Sequence, residues 1–282
     1  MTFSEKQIAR YYDVNTASFL RYGQGGKLGV MHRAVWGPGI TSRKDAFTFV
    51  NVQLAKQAAS LPSDHPVLLD LGCGIGATLV DLVDRTGGRG VGITNSQVQF
   101  ELARQYQQQK DGQTIRTEFL FGDFCDLKLN TEIDLAYAIE SFVLTPNPKS
   151  FFSTIGQSLR RGGQLVICDD FLSEGIQRDA LVEHERRWLT EFEQGWCINA
   201  LMKPSETDRL AEEYGLHLIN DHDLSGMLDL DRFRDVVIQI LVALGRNLPL
   251  KHPRWMNLLG GNALQQCLKS GLIQYRLRTW QK

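Results

Sequence analysis

Leu69-Asp-Leu-Gly-Cys-Gly-Ile-Gly76 lies between an apolar run at 67–71 and a stretch of helical periodicity at 77–85. A strand that runs into a glycine-rich turn and then into a helix is the opening unit of a parallel α/β sheet, and the pattern repeats downstream. Short apolar runs at 90–93, 118–121, 133–137 and 164–168 read as strands, separated by amphipathic helices at 97–109 and 149–159. Strands covered by helices on both faces carry near-continuous apolar runs, as these do. Upstream, 4–60 is mostly helical, broken by Gly23-Gln-Gly-Gly26 and Gly37-Pro-Gly39. Downstream, 180–211 and 230–245 read as helical, with a strand at 216–220 between them. The alternation of Ile273-Gln-Tyr-Arg-Leu-Arg-Thr-Trp280 suits an antiparallel strand closing the sheet edge. The expected fold is therefore α/β, a Rossmann-like doubly wound sheet of seven strands with the last antiparallel, a helical N-terminal lid (1–60) and a helical insertion. The domain body spans 61–282, with 172–212 and 228–262 as helical segments over the cleft.

The glycine turn permits close backbone approach of a nucleotide-like ligand at a helix N-terminus, and two ligand classes compete for it. A dinucleotide site carries an acidic residue at the end of the second strand, about 20 residues after the glycines. That place reads Gly92-Ile-Thr-Asn-Ser96, without a carboxylate. Asp70, inside the turn, would repel a pyrophosphate but suits the ammonium of an amino-acid-like ligand, which favours S-adenosylmethionine over a nicotinamide cofactor. Beyond the third strand, Asp123 can accept the exocyclic amino group of adenine while Phe124 and Ile93 flank the ring; Asp123 can equally cap the turn that follows it.

The chain has 282 residues, with 31 Lys and Arg against 32 Asp and Glu, a net charge of −1. That balance lacks the basic footprint of a nucleic-acid binder. No basic segment precedes an apolar run at the N-terminus, and the longest apolar stretch, 236–244, is too short to span a bilayer. The five scattered cysteines show neither zinc spacing nor a disulfide framework. A cytoplasmic protein without stable membrane insertion is expected.

The donor-side motifs, with Val91-Gly-Ile-Thr-Asn-Ser-Gln-Val-Gln99, Gly122-Asp123, Ala138-Ile-Glu-Ser141 and Leu159-Arg-Arg-Gly-Gly163, resemble the class I S-adenosylmethionine-dependent methyltransferases, and within them the clade acting on sterols, tocopherols, prenyl diphosphates and natural products. The likeness covers about 100 residues of the chain closely and its two ends loosely. The resemblance implies S-adenosylmethionine as cofactor, with Asp70, Gly72, Cys73 and Gly74 around its methionine moiety and Thr94 and Gln99 at its ribose or adenine. It also implies that the N-terminal helices cover the donor, with Tyr12 and Tyr22 as lid contacts or core packing, and Tyr22 stands with Glu140 and His32 as a catalytic candidate. Gly23, Gly25 and Gly26 are expected hinges, and the helical arm could exchange between subunits of a homo-oligomer.

On the acceptor side, Glu140 follows the fourth strand. Related enzymes often carry Glu-Ser followed by histidines, whereas this chain reads Glu140-Ser-Phe-Val-Leu-Thr145. A carboxylate amid Phe142, Val143 and Leu144 could have its proton affinity raised and act as a base, could stabilise a carbocation, or could hold the lid. His32, near Trp36, is a second base candidate or a structural histidine. Asp169 and Asp170 could meet a polar group of the acceptor or a magnesium ion, though two carboxylates alone do not make a metal site, and none is expected. Trp188, Phe192 and Trp196 form a stripe that suits either core or an apolar pocket wall. The expected reaction is methylation of a small hydrophobic natural product, isoprenoid-derived or indole-terpenoid, at carbon or nitrogen. O-methylation of a lipophilic metabolite, or a rearrangement or cyclisation on a methyltransferase fold, stands as the alternative.

Overall fold

The computed structural model describes residues 2–22, 25–110, 116–245 and 252–282. Two helices lead the chain, α1 (Glu5–Tyr22) and α2 (Arg43–Ser60), joined by a largely non-helical stretch. The alternating unit follows: β1 (Val67–Leu71), α3 (Ala77–Thr86), β2 (Arg89–Thr94), α4 (Gln97–Lys110), β3 (Thr117–Phe121), β4 (Ile133–Ile139), α5 (Pro148–Ser158) and β5 (Leu159–Leu172). Then come α6 (Glu183–Trp196), α7 (Pro204–Glu212), β6 (His217–Asp223), α8 (Phe233–Gly245), α9 (Pro253–Lys269) and β7 (Ile273–Gln281).

The seven strands form one sheet in the order β3-β2-β1-β4-β5-β7-β6. The first five are parallel, and β7 runs antiparallel to both β5 and β6. Every residue of β1 is buried, as the unbroken run Val67-Leu-Leu-Asp-Leu71 requires of a central strand. The order reverses between β1 and β4, and the crevice at such a switch point is where open α/β sheets bind ligands.

Three expectations need correction. β7 is antiparallel but lies inside the sheet; the edge is β6, whose residues are all exposed and whose polar sequence His-Leu-Ile-Asn-Asp-His-Asp blunts it against further pairing. The helical span 180–211 is two helices, because Cys197 takes a left-handed conformation (φ +56°) that ends α6. A helix over 253–269 extends past the 228–262 segment, with Pro253 in its first turn. It packs along α6 so closely that a Cβ on Gly195 would come within 2.6 Å of Gly260 Cα. Two glycines at one crossing allow the backbones that approach.

Among the described residues, no helix is long and apolar enough to cross a membrane. α8 nevertheless turns Phe233, Val236, Val237, Ile240, Leu241 and Leu244 outward.

Candidate active site

At the carboxyl end of β1 the chain must turn sharply into α3, and Gly72 does so with φ +87°. A side chain there would be strained, and its Cβ would fall 2.5 Å from Ser141 Cβ at the end of β4. The amides of Gly72 and Cys73 both donate to Ile93 O at 2.9 Å, which ties the turn to the end of β2. The loops after β1, β2, β3 and β4 thereby open on one cleft of about 1340 Å³, counting the solvent at its mouth.

Asp70, Gly72, Cys73, Gly74, Thr94 and Gln99 all line this cleft, as do Asp123 and Phe124. Asp70 is buried and accepts from Tyr137 Oη at 3.0 Å. Burial pushes its carboxyl up to about 7, against the downward pull of that hydrogen bond. Such a carboxyl would regain its charge beside a ligand ammonium. The cradle at Gly72, which a Cβ would fill, and this buried carboxyl both fit the amino-acid end of S-adenosylmethionine.

Other positions are more engaged than the sequence suggests. Asp123 does cap the turn after β3, accepting from Cys125 N at 2.9 Å, while still lining the cleft. Thr94 Oγ1 donates to Gln99 Oε1 at 2.9 Å, and Gln99 Nε2 donates to Thr16 Oγ1 of α1 at 3.3 Å. Asp13 on α1 accepts from Ser96 Oγ at 2.6 Å and from the amide of Val98 at 3.2 Å, close to the start of α4. So α1 is fastened across the cleft and presents Tyr12 to it. Tyr22 closes α1, and its side chain lies outside the described residues, as does Gly23.

Glu140 departs most from expectation. It stands at the end of β4 with φ +52°, a left-handed conformation that costs a non-glycine residue roughly 1–2 kcal/mol. Its Oε1 accepts from the Arg33 amide at 2.8 Å, from Arg33 Nε at 3.1 Å and from Tyr275 Oη at 3.0 Å. Burial alone would raise its carboxyl, but Arg33, His32 and Tyr275 hold it below the ordinary carboxylate range. The alternative of raised proton affinity is therefore reversed, because the Arg33 guanidinium, invisible in the local sequence, outweighs the burial that Phe142, Val143 and Leu144 suggest. Phe142 instead packs away from it, against Phe151, Phe152 and Phe171.

Arg33 is the residue that sequence reasoning missed. Its guanidinium makes a bidentate pair with Asp170, 2.8 Å on each side, and lies 4.1 Å from the centre of the Tyr275 ring. The neighbouring Asp169 accepts from the Val143 amide at 3.1 Å. Both aspartates thus have protein partners, and among the described residues no cluster of three or more His, Cys, Asp or Glu is placed to hold a metal. No sequence signal links positions 33, 140, 170 and 275.

His32 lines the cleft beside Glu140. Its Nδ1 lies 3.1 Å from Arg33 O, a carbonyl that only accepts, and its buried Nε2 has no hydrogen-bond partner. Of the aromatic stripe, Phe192 is fully buried in the core and Trp188 packs against it, while Trp196 lines the cleft and donates to Asn257 O at 3.1 Å.

With this geometry, comparison with known proteins gives the class. A methyltransferase domain model matches residues 68–163, the span that holds the glycine turn and the strands around it. An O-methyltransferase of Aspergillus nomiae is 31% identical over 62% of this chain and 78% of its own length. A sterol 24-C-methyltransferase of Gibberella zeae is 30% identical over 59% of this chain and 43% of its own length, so the match spans less than half of that relative. A geranyl diphosphate C-methyltransferase of Streptomyces coelicolor, solved with Mg²⁺, geranyl diphosphate and S-adenosyl-L-homocysteine, shares the fold at a TM-score of 0.71 and 16% identity, over 98% of this chain and 97% of that one. The chain belongs to the class I S-adenosylmethionine-dependent methyltransferases, whose cofactor is S-adenosylmethionine.

Proposed function

We propose that the chain transfers a methyl group from S-adenosylmethionine to a small lipophilic acceptor. The observation that carries this reading is one cleft with two kinds of wall. The glycine turn and Asp70 form one side, and Ile8, Tyr12, Phe19, Leu144, Trp196 and Ile198 contribute apolar surface elsewhere, beside the charged Arg33, Glu140, Asp169 and Asp170. Relatives named for sterols and prenyl diphosphates support an isoprenoid-derived acceptor. The relative named as an O-methyltransferase supports methylation at oxygen.

In this reading Asp70, Gly72, Cys73 and Gly74 hold the methionine end of the donor, and Thr94, Asp123 and Phe124 its nucleoside end. Gln99 acts through Thr94 and Thr16, fixing α1 over the site. When bound, the donor supplies an electrophilic methyl group on a sulfonium. The protein's work is then alignment and exclusion of water, for which the segment 1–60 serves as lid and Arg33, joined to Glu140 and Asp170, as its latch. Glu140, held as a carboxylate by Arg33, positions the lid and the adjoining His32. Five buried free cysteines support residence in a reducing, cytoplasmic compartment.

The test is incubation of the full chain with methyl-labelled donor and a panel comprising geranyl diphosphate, a side-chain-unsaturated sterol, a prenylated indole and an alkylphenol, with glycine as a polar control. Label in at least one lipophilic acceptor and none in glycine is the expected result. Label in glycine alone would overturn the reading.

A further inference from the structure

α8 (Phe233–Gly245) has no part in the donor turn or the latch. It seats Asp235, Ile238, Val242 and Gly245 against the protein, on the side where Gly245 meets Trp255 of α9. The opposite side carries Phe233, Val236, Val237, Ile240, Leu241 and Leu244, with Phe233 85% and Leu244 78% exposed. Arg234 and Gln239 are the polar residues that α8 exposes. At 3.6 residues per turn the six apolar side chains span an arc of about 140°, bordered by Arg234 on one side and by Ala243 and Gln239 on the other. A contiguous exposed apolar surface of this kind marks a contact site. A single partner helix seats on a stripe of roughly 100°, whereas a lipid layer closes around the whole arc.

Charge around the helix points the same way. Segment 229–254 holds five Lys and Arg against three Asp, in a chain whose net charge is −1. Asp231 is engaged by Lys269 at 2.7 Å, and the buried Asp235 by Arg232 at 2.7 Å. Arg234 and Arg254 are exposed at the starts of α8 and α9, and Arg246 and Lys251 lie between the two helices in the sequence. Cations at both ends of an apolar helix suit anionic headgroups. With 13 residues α8 is about 20 Å long, short of the roughly 30 Å hydrocarbon core, so it fits along a membrane surface and not across it. We propose that α8 docks the chain reversibly on an anionic lipid surface, with its apolar arc at the acyl boundary and the flanking cations at the headgroups. The helix joins the cover of the cleft on two sides. Met227 O, just before α8, accepts from the Trp36 amide of the lid at 2.7 Å, and Asn257 O of α9 accepts from Trp196, which lines the cleft. Docking therefore brings that cover to the layer in which a lipophilic acceptor dissolves. This last step rests on the acceptor class proposed above; the docking itself does not.

The experiment mixes the full chain with vesicles of phosphatidylcholine alone or of phosphatidylcholine and phosphatidylglycerol in equal parts. Bound protein is read by flotation, and amide hydrogen exchange is followed in 233–245. Binding to the mixed vesicles is expected to be at least about tenfold stronger than to phosphatidylcholine, to weaken with salt and to slow exchange in α8. The double variant Ile240→Gln with Leu244→Gln should bind the mixed vesicles at least about tenfold more weakly. Both side chains are exposed, so its circular dichroism and its affinity for S-adenosylhomocysteine should match those of the unaltered chain. No flotation with the mixed vesicles, equal binding to the two populations, or binding undiminished in the double variant overturns the proposal. A chain that leaves vesicles alone and sediments as a dimer, which the double variant dissolves, assigns the face to a second copy and overturns it equally. Absence of S-adenosylhomocysteine binding would bring down the methyltransferase reading and leave the vesicle result standing.

Discussion

Asp70, buried, and Glu140, half-buried, are carboxylates at the ends of adjacent strands, yet their proton affinities move in opposite directions. Asp70 has a phenol beside it and rises to about 7; Glu140 has a guanidinium and falls. A carboxyl whose folded value lies above its ordinary 3.8 binds its proton more tightly when folded, so its contribution to stability is present at low pH and is lost as pH rises from about 4 through 7. Asp70→Asn is therefore expected to raise the melting temperature of the ligand-free protein at pH 8 relative to the unaltered chain, with the difference shrinking toward pH 4. Donor affinity should show the converse dependence. Because an ammonium needs the carboxylate, affinity for S-adenosylhomocysteine should fall about tenfold per pH unit below pH 7 in the unaltered chain and stay flat in Asp70→Asn. At Glu140 the sign differs: Glu140→Gln removes one of the two carboxylates on Arg33 while the pair with Asp170 remains, and is expected to cost roughly 1.5–3 kcal/mol, read from the denaturant midpoint. Asp70 could be recognised in the sequence because its meaning is local, set by the glycines two to six positions on. The environment of Glu140 could not, because its partners lie 107 and 135 positions away.

At the scale of elements, the alternation of apolar runs and amphipathic helices made β1 to β5 legible almost to their ends, since burial on both faces leaves its mark on each strand separately. The helices beyond β5 were harder. Gly260-Gly261 inside α9 weakens any sequence case for a helix, and its reason is a neighbour, Gly195 of α6, that only the fold brings near. Gly260→Leu should force those helices apart and cost roughly 1–3 kcal/mol, measured by denaturant unfolding. α1 is held to the rest of the chain by polar contacts that include those of Asp13, Thr16 and Tyr11, whose Oη donates to Asn257 Oδ1 at 2.6 Å, and by its apolar face. That attachment suits an element that opens and closes. Amide hydrogen exchange in 8–36 is expected to slow when donor and acceptor bind, and Asp13→Ala should make it faster in the free protein. Unchanged exchange on binding would remove the lid from the account.

Across the whole molecule, the C-terminal strand is what couples the parallel half of the sheet to its last strand. β7 pairs with β5 along nine residues, and Trp280 near its end is fully buried with its Nε1 donating to Asp208 at 3.0 Å. Trp280→Ala is accordingly expected to lose roughly 3–5 kcal/mol, seen as a lower denaturant midpoint for the entire chain rather than a separate early transition. The sequence showed that this strand exists and is antiparallel, but not that it is interior, because alternation reports which face is buried and says nothing of which neighbours lie on either side. Every function assigned here depends on one property of the assembled sheet, that its switch point binds an adenosyl amino acid through the β1 turn. The most direct test is calorimetric titration of the full chain with S-adenosylhomocysteine at pH 8, beside a Gly72→Val variant whose fold is checked by circular dichroism. One-to-one micromolar binding, weakened at least about tenfold in the variant, is the expected result. A folded, unaltered chain that gives no binding, or a variant that binds as well, would contradict it.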